Sequence, residues 1–208
     1  MTYTRAIGLA CNKAILLIVR GLALSRIHPN VLTFLGLLIN IGAAALLAVG
    51  QFRWAGAVII GAGLFDMVDG RVARETNRVT RFGGFFDSVL DRYSDLALLV
   101  GLLVWYGSIN SRWYVILTAI VMTGSVMVSY TRARAENSIP TCKVGFMERP
   151  ERVVLLIIGA LFDRMAPVLW VIAVLANLTV IHRMVFTWQE AKRLEEAQLR
   201  PPTRAATH

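Results

Sequence analysis

Between Val31 and Trp188 the chain returns six times to an apolar run, with only short polar turns between. The runs cover Val31–Gly50, Trp54–Arg71, Phe82–Tyr106, Trp113–Arg132, Val153–Phe162 and Pro167–Trp188. Apolar segments near 20 residues match the hydrocarbon core of a bilayer when helical, and a helix is the form that satisfies its own backbone there. A mean hydropathy of +0.60 over 208 residues is too apolar for a soluble domain of this size. The expected fold is therefore an all-α integral membrane protein with six transmembrane helices. The fifth run is the weak one. It reaches membrane length only if Glu148, Arg149, Glu151 and Arg152 join its helix.

Ahead of the first run, Tyr3 to Ile27 has a different pattern. At about 100° per residue, Arg5, Asn12, Lys13, Arg20 and Arg26 fall on one side and Ile7, Ile18 and Leu22 on the other. That is the pattern of an amphipathic helix lying on the membrane surface. No polar linker or repeat divides the chain, so residues 1–190 read as one membrane domain, followed by a cytoplasmic tail over 191–208 that frays beyond Glu190. The N-terminus lacks the pattern of a cleaved signal peptide. Cys11 and Cys142, far apart and without metal-like spacing, read as free thiols.

The basic residues orient the helices. Eighteen lie before the first run, between runs two and three, between four and five, and at or after the end of run six. Only Arg53, Arg112 and Arg164 lie on the other side. By the positive-inside rule the protein is multi-pass in the cytoplasmic membrane, with both termini cytoplasmic. The net charge of +9 then sits on the cytoplasmic face in short loops. Spread that way, it suits anionic headgroups and phosphorylated substrates, and nucleic acid is not an expected partner.

Against this apolar background four carboxylates stand out: Asp66 and Asp69, then Asp87 and Asp91. Spacings of three and four place each pair on one helix face. Antiparallel neighbouring helices would bring the two pairs together, with Asp91 on the order of 14 Å into its helix, in a cytoplasm-facing cavity. Four such acids repel one another unless cations compensate. Hard divalent ions take oxygen ligands, and two of them together clamp a transferring phosphoryl group. Gly70 and Gly83, where each acidic face begins, allow close backbone approach, and Arg74 is placed to meet a phosphate.

The pattern Asp66-x2-Asp69-Gly70-x2-Ala73-Arg74-x8-Gly83-x3-Asp87-x3-Asp91 resembles, position for position, the signature of the CDP-alcohol phosphotransferases. The segment Pro29-Asn30-x2-Thr33 is similar to the one preceding the first span in that family. The resemblance implies that an alcohol hydroxyl attacks the β-phosphorus of a CDP-linked lipid and CMP leaves. It implies two Mg²⁺ or Mn²⁺ ions on Asp66, Asp69, Asp87 and Asp91, with Asp91 as general base. It implies that Pro29, Asn30, Thr33, Gly70, Ala73, Arg74 and Gly83 join Asp66 and Asp69 in holding the nucleotide and its lipid, and that the protein is a homodimer. Asp95, one turn past Asp91, is outside the signature and reads as orienting a neighbour such as Arg92.

The acceptor is read from other segments. Several arginines, as found in Ser129–Glu136, Glu148–Arg152 and Arg183, are what a second, doubly charged phosphate requires. These stretches resemble the phosphatidylinositol-phosphate and archaetidylinositol-phosphate synthases. By that resemblance Ser129, Arg132, Arg134, Arg149 and Arg183 hold inositol 1-phosphate, and the donor is CDP-diacylglycerol. Arg132 stands where the actinobacterial enzymes have lysine, and 137–143 differs from them. Glycerol 3-phosphate, as in phosphatidylglycerophosphate synthesis, is the alternative acceptor, and an archaeol-based lipid the alternative donor. A cation transporter is the alternative from another class, but its acids belong near the midplane, whereas these cluster at the cytoplasmic side.

Overall fold

The computed structural model of the protein describes residues 29–75 and 79–199, all of whose regular structure is helical. The helices are α1 (Pro29–Ala48), α2 (Phe52–Glu75), α3 (Arg81–Ser108), α4 (Arg112–Ala135), α5 (Arg149–Leu161) and α6 (Met165–Leu199). The surface helix expected over 3–27 lies outside the described residues.

Each sequence run became one helix. Their boundaries follow local chemistry. Gly50, at φ +77°, turns the chain after α1 in a conformation that costs glycine little. Thr80 caps α3 by accepting the Gly83 N–H at 2.9 Å. α5 opens on a reciprocal capping box, in which Glu148 accepts from the Glu151 backbone and Glu151 accepts from the Glu148 N–H at 3.0 Å.

Three of the six, α1, α4 and α6, are long and apolar enough to cross a membrane among the described residues. The expectation of six crossing helices is met here only as six helices. α2 and α3 carry the charged residues of the site within their length, which dilutes their apolar character. α5 does recruit Arg149, Glu151 and Arg152, yet its 13 residues span only about 20 Å. Residues 191–199, expected to fray, instead continue α6 without a break. Ala191 and Leu194 pack against a small cluster of Ala135, Ile139 and buried Cys142, which ties that segment to the loop after α4.

The buried charged side chains Asp95, Arg152 and Arg183 gather towards one end of the bundle, beside an otherwise apolar core. All six helices contribute to one core, including Ala43 and Leu47, Ala55 and Ile59, Leu98 and Leu102, Leu117 and Val121, Leu156 and Ala160, and Leu169 and Ile172. Small residues set the spacing. A methyl group on Gly101 of α3 would come within 2.3 Å of the Ala44 carbonyl oxygen of α1, so these helices cross at backbone contact. Large apolar side chains cover the outside instead. Phe34, Leu38 and Ile41 of α1 and Trp170, Val174, Leu178 and Ile181 of α6 are all exposed. A surface of that kind is stable against lipid and not against water.

Packing also differs from the sequence expectation for α2 and α3. Among the described residues they do not form the close pair expected. α1 packs against both, α5 packs on α2, and α4 packs on α3. Asp66 of α2 and Asp91 of α3 are bridged by Arg149 of α5.

Candidate active site

Asp66 enters the polar end from α2, and a glycine on α1 makes room for it. A methyl group on Gly36 would lie 3.0 Å from Asp66 Oδ1. Asp87, Asp91 and Asp95 follow one another at four-residue spacing on a single face of α3. Asp66, Asp87 and Asp91 lie within electrostatic reach of one another. Asp69, Gly70 and Ala73 lie on the helical backbone of α2, but their surroundings, like those of Pro29, are outside the described residues. Arg74 is exposed in the last turn of α2.

The cation among these acids is Arg149. Its Nη2 lies 3.0 Å from Asp66 Oδ2, its Nη1 2.9 Å from Asp91 Oδ1 and its Nε 3.4 Å from Asp95 Oδ1. Sequence reading placed Arg149 on the acceptor phosphate. Here its guanidinium joins the acids of α2 and α3. Asp95 also accepts from Arg152 of α5, a side chain only 2% exposed. The expected pairing of Asp95 with Arg92 is not made. Arg92 is exposed and donates to the Ser88 carbonyl of its own helix. Asp95 does orient neighbours, but these are the α5 arginines.

A second group of charges forms around Glu148. Its Oε1 accepts from Arg132 Nη1 at 3.1 Å and from Arg183 Nη2 at 2.7 Å. Arg183 is 1% exposed and also donates to the carbonyls of Val144, at 2.8 Å, and Val128. Arg132 completes its pairing with Glu136 at 3.2 Å. The loop holding Glu148 is itself pinned, since Thr179 Oγ1 accepts from both Phe146 and Met147 N–H at 3.0 Å.

Both groups line one cavity of about 330 Å³. Its wall includes Asp91, Asp95, Ser129, Arg132, Glu148, Arg149, Arg152 and Arg183. The structure thus unites four of the five expected acceptor residues with Asp91. Arg134 is the exception. It is exposed and lines a separate groove between α4 and α6 with Tyr130, Met184 and Trp188. Two residues before it, Arg132 faces the cavity, and helical geometry turns positions two apart to different sides.

Among the expected nucleotide residues, Gly83 and Asn30 come together. A methyl group on Gly83 would lie 3.5 Å from Asn30 Oδ1, so the start of α3 and the start of α1 meet there. Thr33 is buried one turn further along α1.

No group of three or more metal-type ligands is preformed among the described residues, a set that leaves out the Asp69 side chain. The donor chemistry nevertheless fits a hard divalent cation. Asp66 and Asp91 come from different helices and already converge on one guanidinium. Carboxylates arranged to share a cation in this way offer oxygen ligands of the kind Mg²⁺ and Mn²⁺ take.

Sequence reading assigned no site role to Gly36, Arg152 or the shared acceptor Glu148. Gly36 carries no signal in an apolar run. Arg152 and Asp95 were detectable in principle, as opposite charges that an apolar environment forces to pair.

The polar end built by these helices belongs to a known class. The chain is a member of the CDP-alcohol phosphatidyltransferase family, whose family model matches residues 26–189. It is accordingly a membrane enzyme of phospholipid synthesis. Among its relatives it is 37% identical over 177 residues to archaetidylinositol phosphate synthase of Pyrococcus horikoshii, covering 85% of this chain and 90% of that one. It is likewise 37% identical over 182 residues to phosphatidylinositol phosphate synthase of Mycobacterium tuberculosis, covering 82% and 84%. A crystal structure of the M. tuberculosis phosphatidylinositol phosphate synthase with CDP-DAG bound matches at a TM-score of 0.79 and 34% identity, over 85% of this chain and 94% of that chain. A second, in complex with manganese and citrate, matches at 0.76 and 35% identity, over 82% and 87%.

Proposed function

We propose that this protein transfers the phosphatidyl group of CDP-diacylglycerol to inositol 1-phosphate, forming phosphatidylinositol phosphate and releasing CMP. The observation that carries this reading is the single cavity in which Asp91 shares a wall with Ser129, Arg132, Arg149 and Arg183. An acid that can take a proton stands there beside cations that can hold a phosphate. A phosphorylated alcohol bound by those arginines presents its hydroxyl towards Asp91, and Asp91 removes the hydroxyl proton as it attacks. Arg132 and Arg183 supply the charge-assisted contacts, with Glu148 keeping both in position until the phosphate arrives.

Asp66, Asp69, Asp87 and Asp91 would hold two Mg²⁺ or Mn²⁺ ions, which when bound neutralise the pyrophosphate of the CDP-lipid. The names of the manganese and CDP-DAG complexes of the M. tuberculosis relative support a divalent metal and that donor. Pro29, Asn30, Thr33, Gly70, Ala73, Arg74 and Gly83 form the nucleotide side of the site. In this reading all six helices cross the cytoplasmic membrane within one domain over 1–190, both termini are cytoplasmic, and the enzyme is a homodimer.

The test uses purified protein, CDP-diacylglycerol and Mg²⁺ or Mn²⁺, with labelled inositol 1-phosphate, glycerol 3-phosphate and inositol in competition. CMP release should follow inositol 1-phosphate and yield a labelled lipid. Preferential use of glycerol 3-phosphate, or no metal-dependent CMP release, overturns the reading.

A further inference from the structure

Arg149 stands in two places at once. It lines the acceptor cavity, yet each of its three guanidinium nitrogens faces a carboxylate, on Asp66, Asp91 and Asp95. Two of those carboxylates are proposed metal ligands. A guanidinium and a divalent ion cannot both occupy the space between Asp66 and Asp91. The Nη1 and Nη2 N–H groups turned to these acids are not available to a phosphate, so the fork meets an acceptor fully only once they are released.

The three contacts are unequal. The two short ones, at 3.0 and 2.9 Å, go to the metal-type acids. The long one, at 3.4 Å, goes to Asp95, whose own position is fixed by buried Arg152. If Asp66 and Asp91 exchange Arg149 for a divalent ion, Nη1 and Nη2 are released while the Asp95 carboxylate stays beside Nε as an ion-pair partner without a hydrogen bond. Asp95 then acts as a tether. It keeps the guanidinium at the cavity wall and limits the entropy lost when the fork takes a new anion.

The geometry points to a metal-dependent handover of Arg149, from the carboxylates Asp66 and Asp91 in the metal-free protein to the phosphate of the acceptor once those acids hold a divalent ion. Acceptor recognition is thereby coupled to metal loading through a residue of this chain. Linkage makes the coupling reciprocal, so an acceptor phosphate tightens metal binding by the same factor. The inference rests on the proposed assignment of Asp66 and Asp91 to metal and of the cavity to a phosphorylated acceptor. It adds Asp95 as a positioning residue with a defined purpose.

The test measures binding. Full-length protein in detergent is stripped of metal, and inositol 1-phosphate affinity is measured by calorimetry with and without Mn²⁺, with no CDP-lipid present. Mn²⁺ affinity is measured separately from the free-ion paramagnetic resonance signal. In wild type, Mn²⁺ should tighten inositol 1-phosphate binding about tenfold or more, the value of one charge-assisted contact. Arg149→Gln should bind Mn²⁺ more tightly than wild type when no anion is present, because the competing guanidinium is gone. It should also lose the effect of Mn²⁺ on the acceptor. Arg149→Lys keeps the charge but cannot bridge two acids, and should show a coupling weaker than wild type. Asp95→Asn should reduce the coupling through a weaker acceptor affinity in Mn²⁺, while Asp95→Glu restores it.

Wild-type acceptor affinity unchanged by Mn²⁺ overturns the handover. A Mn²⁺ effect of full size in Arg149→Gln does so too, because it means that the ion touches the phosphate directly. Either result can occur in a protein that still makes phosphatidylinositol phosphate, in which case the proposed function stands and only the handover falls. Absence of that product in the acceptor competition assay removes the functional reading itself.

Discussion

The buried pair of Asp95 and Arg152 offers a sharp test of how the polar end is held together. Arg152 is 2% exposed and Asp95 6%, and two of the arginine's nitrogens, Nε and Nη1, have no other partner. Asp95→Leu leaves a buried cation uncompensated. Breaking a buried pair from one side costs about 3–5 kcal/mol, and this variant belongs at the upper end. Arg152→Met leaves Asp95 with Arg149 at 3.4 Å, so its loss belongs at the lower end. The double variant removes both charges and should lose less than Asp95→Leu alone, because no unpaired ion remains. For a chain of this length each kcal/mol moves the melting temperature by about 2–4 °C, so single losses of 3–5 kcal/mol correspond to roughly 6–20 °C. Intrinsic tryptophan fluorescence during thermal unfolding in detergent reads these shifts. Two single variants within about 3 °C of wild type, or a double variant whose loss equals their sum, would refute the argument.

Other expectations follow from the same geometry. Asp91→Asn should lower kcat by roughly 10²-fold or more while substrate binding largely survives; a change in metal requirement alone would make Asp91 a ligand and not the base. Asp66→Asn and Asp87→Asn should abolish transfer at limiting metal, with partial recovery of at least one in excess Mn²⁺, so full turnover by both at limiting metal contradicts their role. Arg183→Ala should raise the acceptor KM about 10- to 150-fold, the loss of roughly 1.5–3 kcal/mol of charge-assisted contact, and leave the KM for CDP-diacylglycerol nearly unchanged. Gly101→Ala should separate α1 from α3, since the added methyl meets the Ala44 carbonyl at 2.3 Å; a destabilisation of about 1–3 kcal/mol is expected, and an unchanged melting temperature would contradict the close crossing.

Sequence alone carried the six helices of the described residues, because each apolar run between turn residues can satisfy its backbone in lipid in one way. It also carried the acidic faces, because spacings of three and four fix which side chains share a helix side regardless of what packs nearby. Gly83 beside Asn30, and Ser129, Arg132, Arg149 and Arg183 around one cavity, were legible through the resemblance in motif, and the packing brings them together. What sequence could not decide was which charge meets which. Asp95 could pair with Arg92 three positions back on the same helix, yet Arg92 donates to the Ser88 carbonyl of that helix and the buried Arg152 of α5 takes its place. Arg134 looked like Arg132 in composition, but a rotation of two residues along α4 sends it to another groove. Gly36 had no signal at all until α1 was seen to run against Asp66. Helical period is a local property of the chain, written in residue spacing. Ion pairing and close approach depend on which helices become neighbours, and that is settled by packing small residues such as Gly101 against a facing backbone, which only the tertiary structure displays.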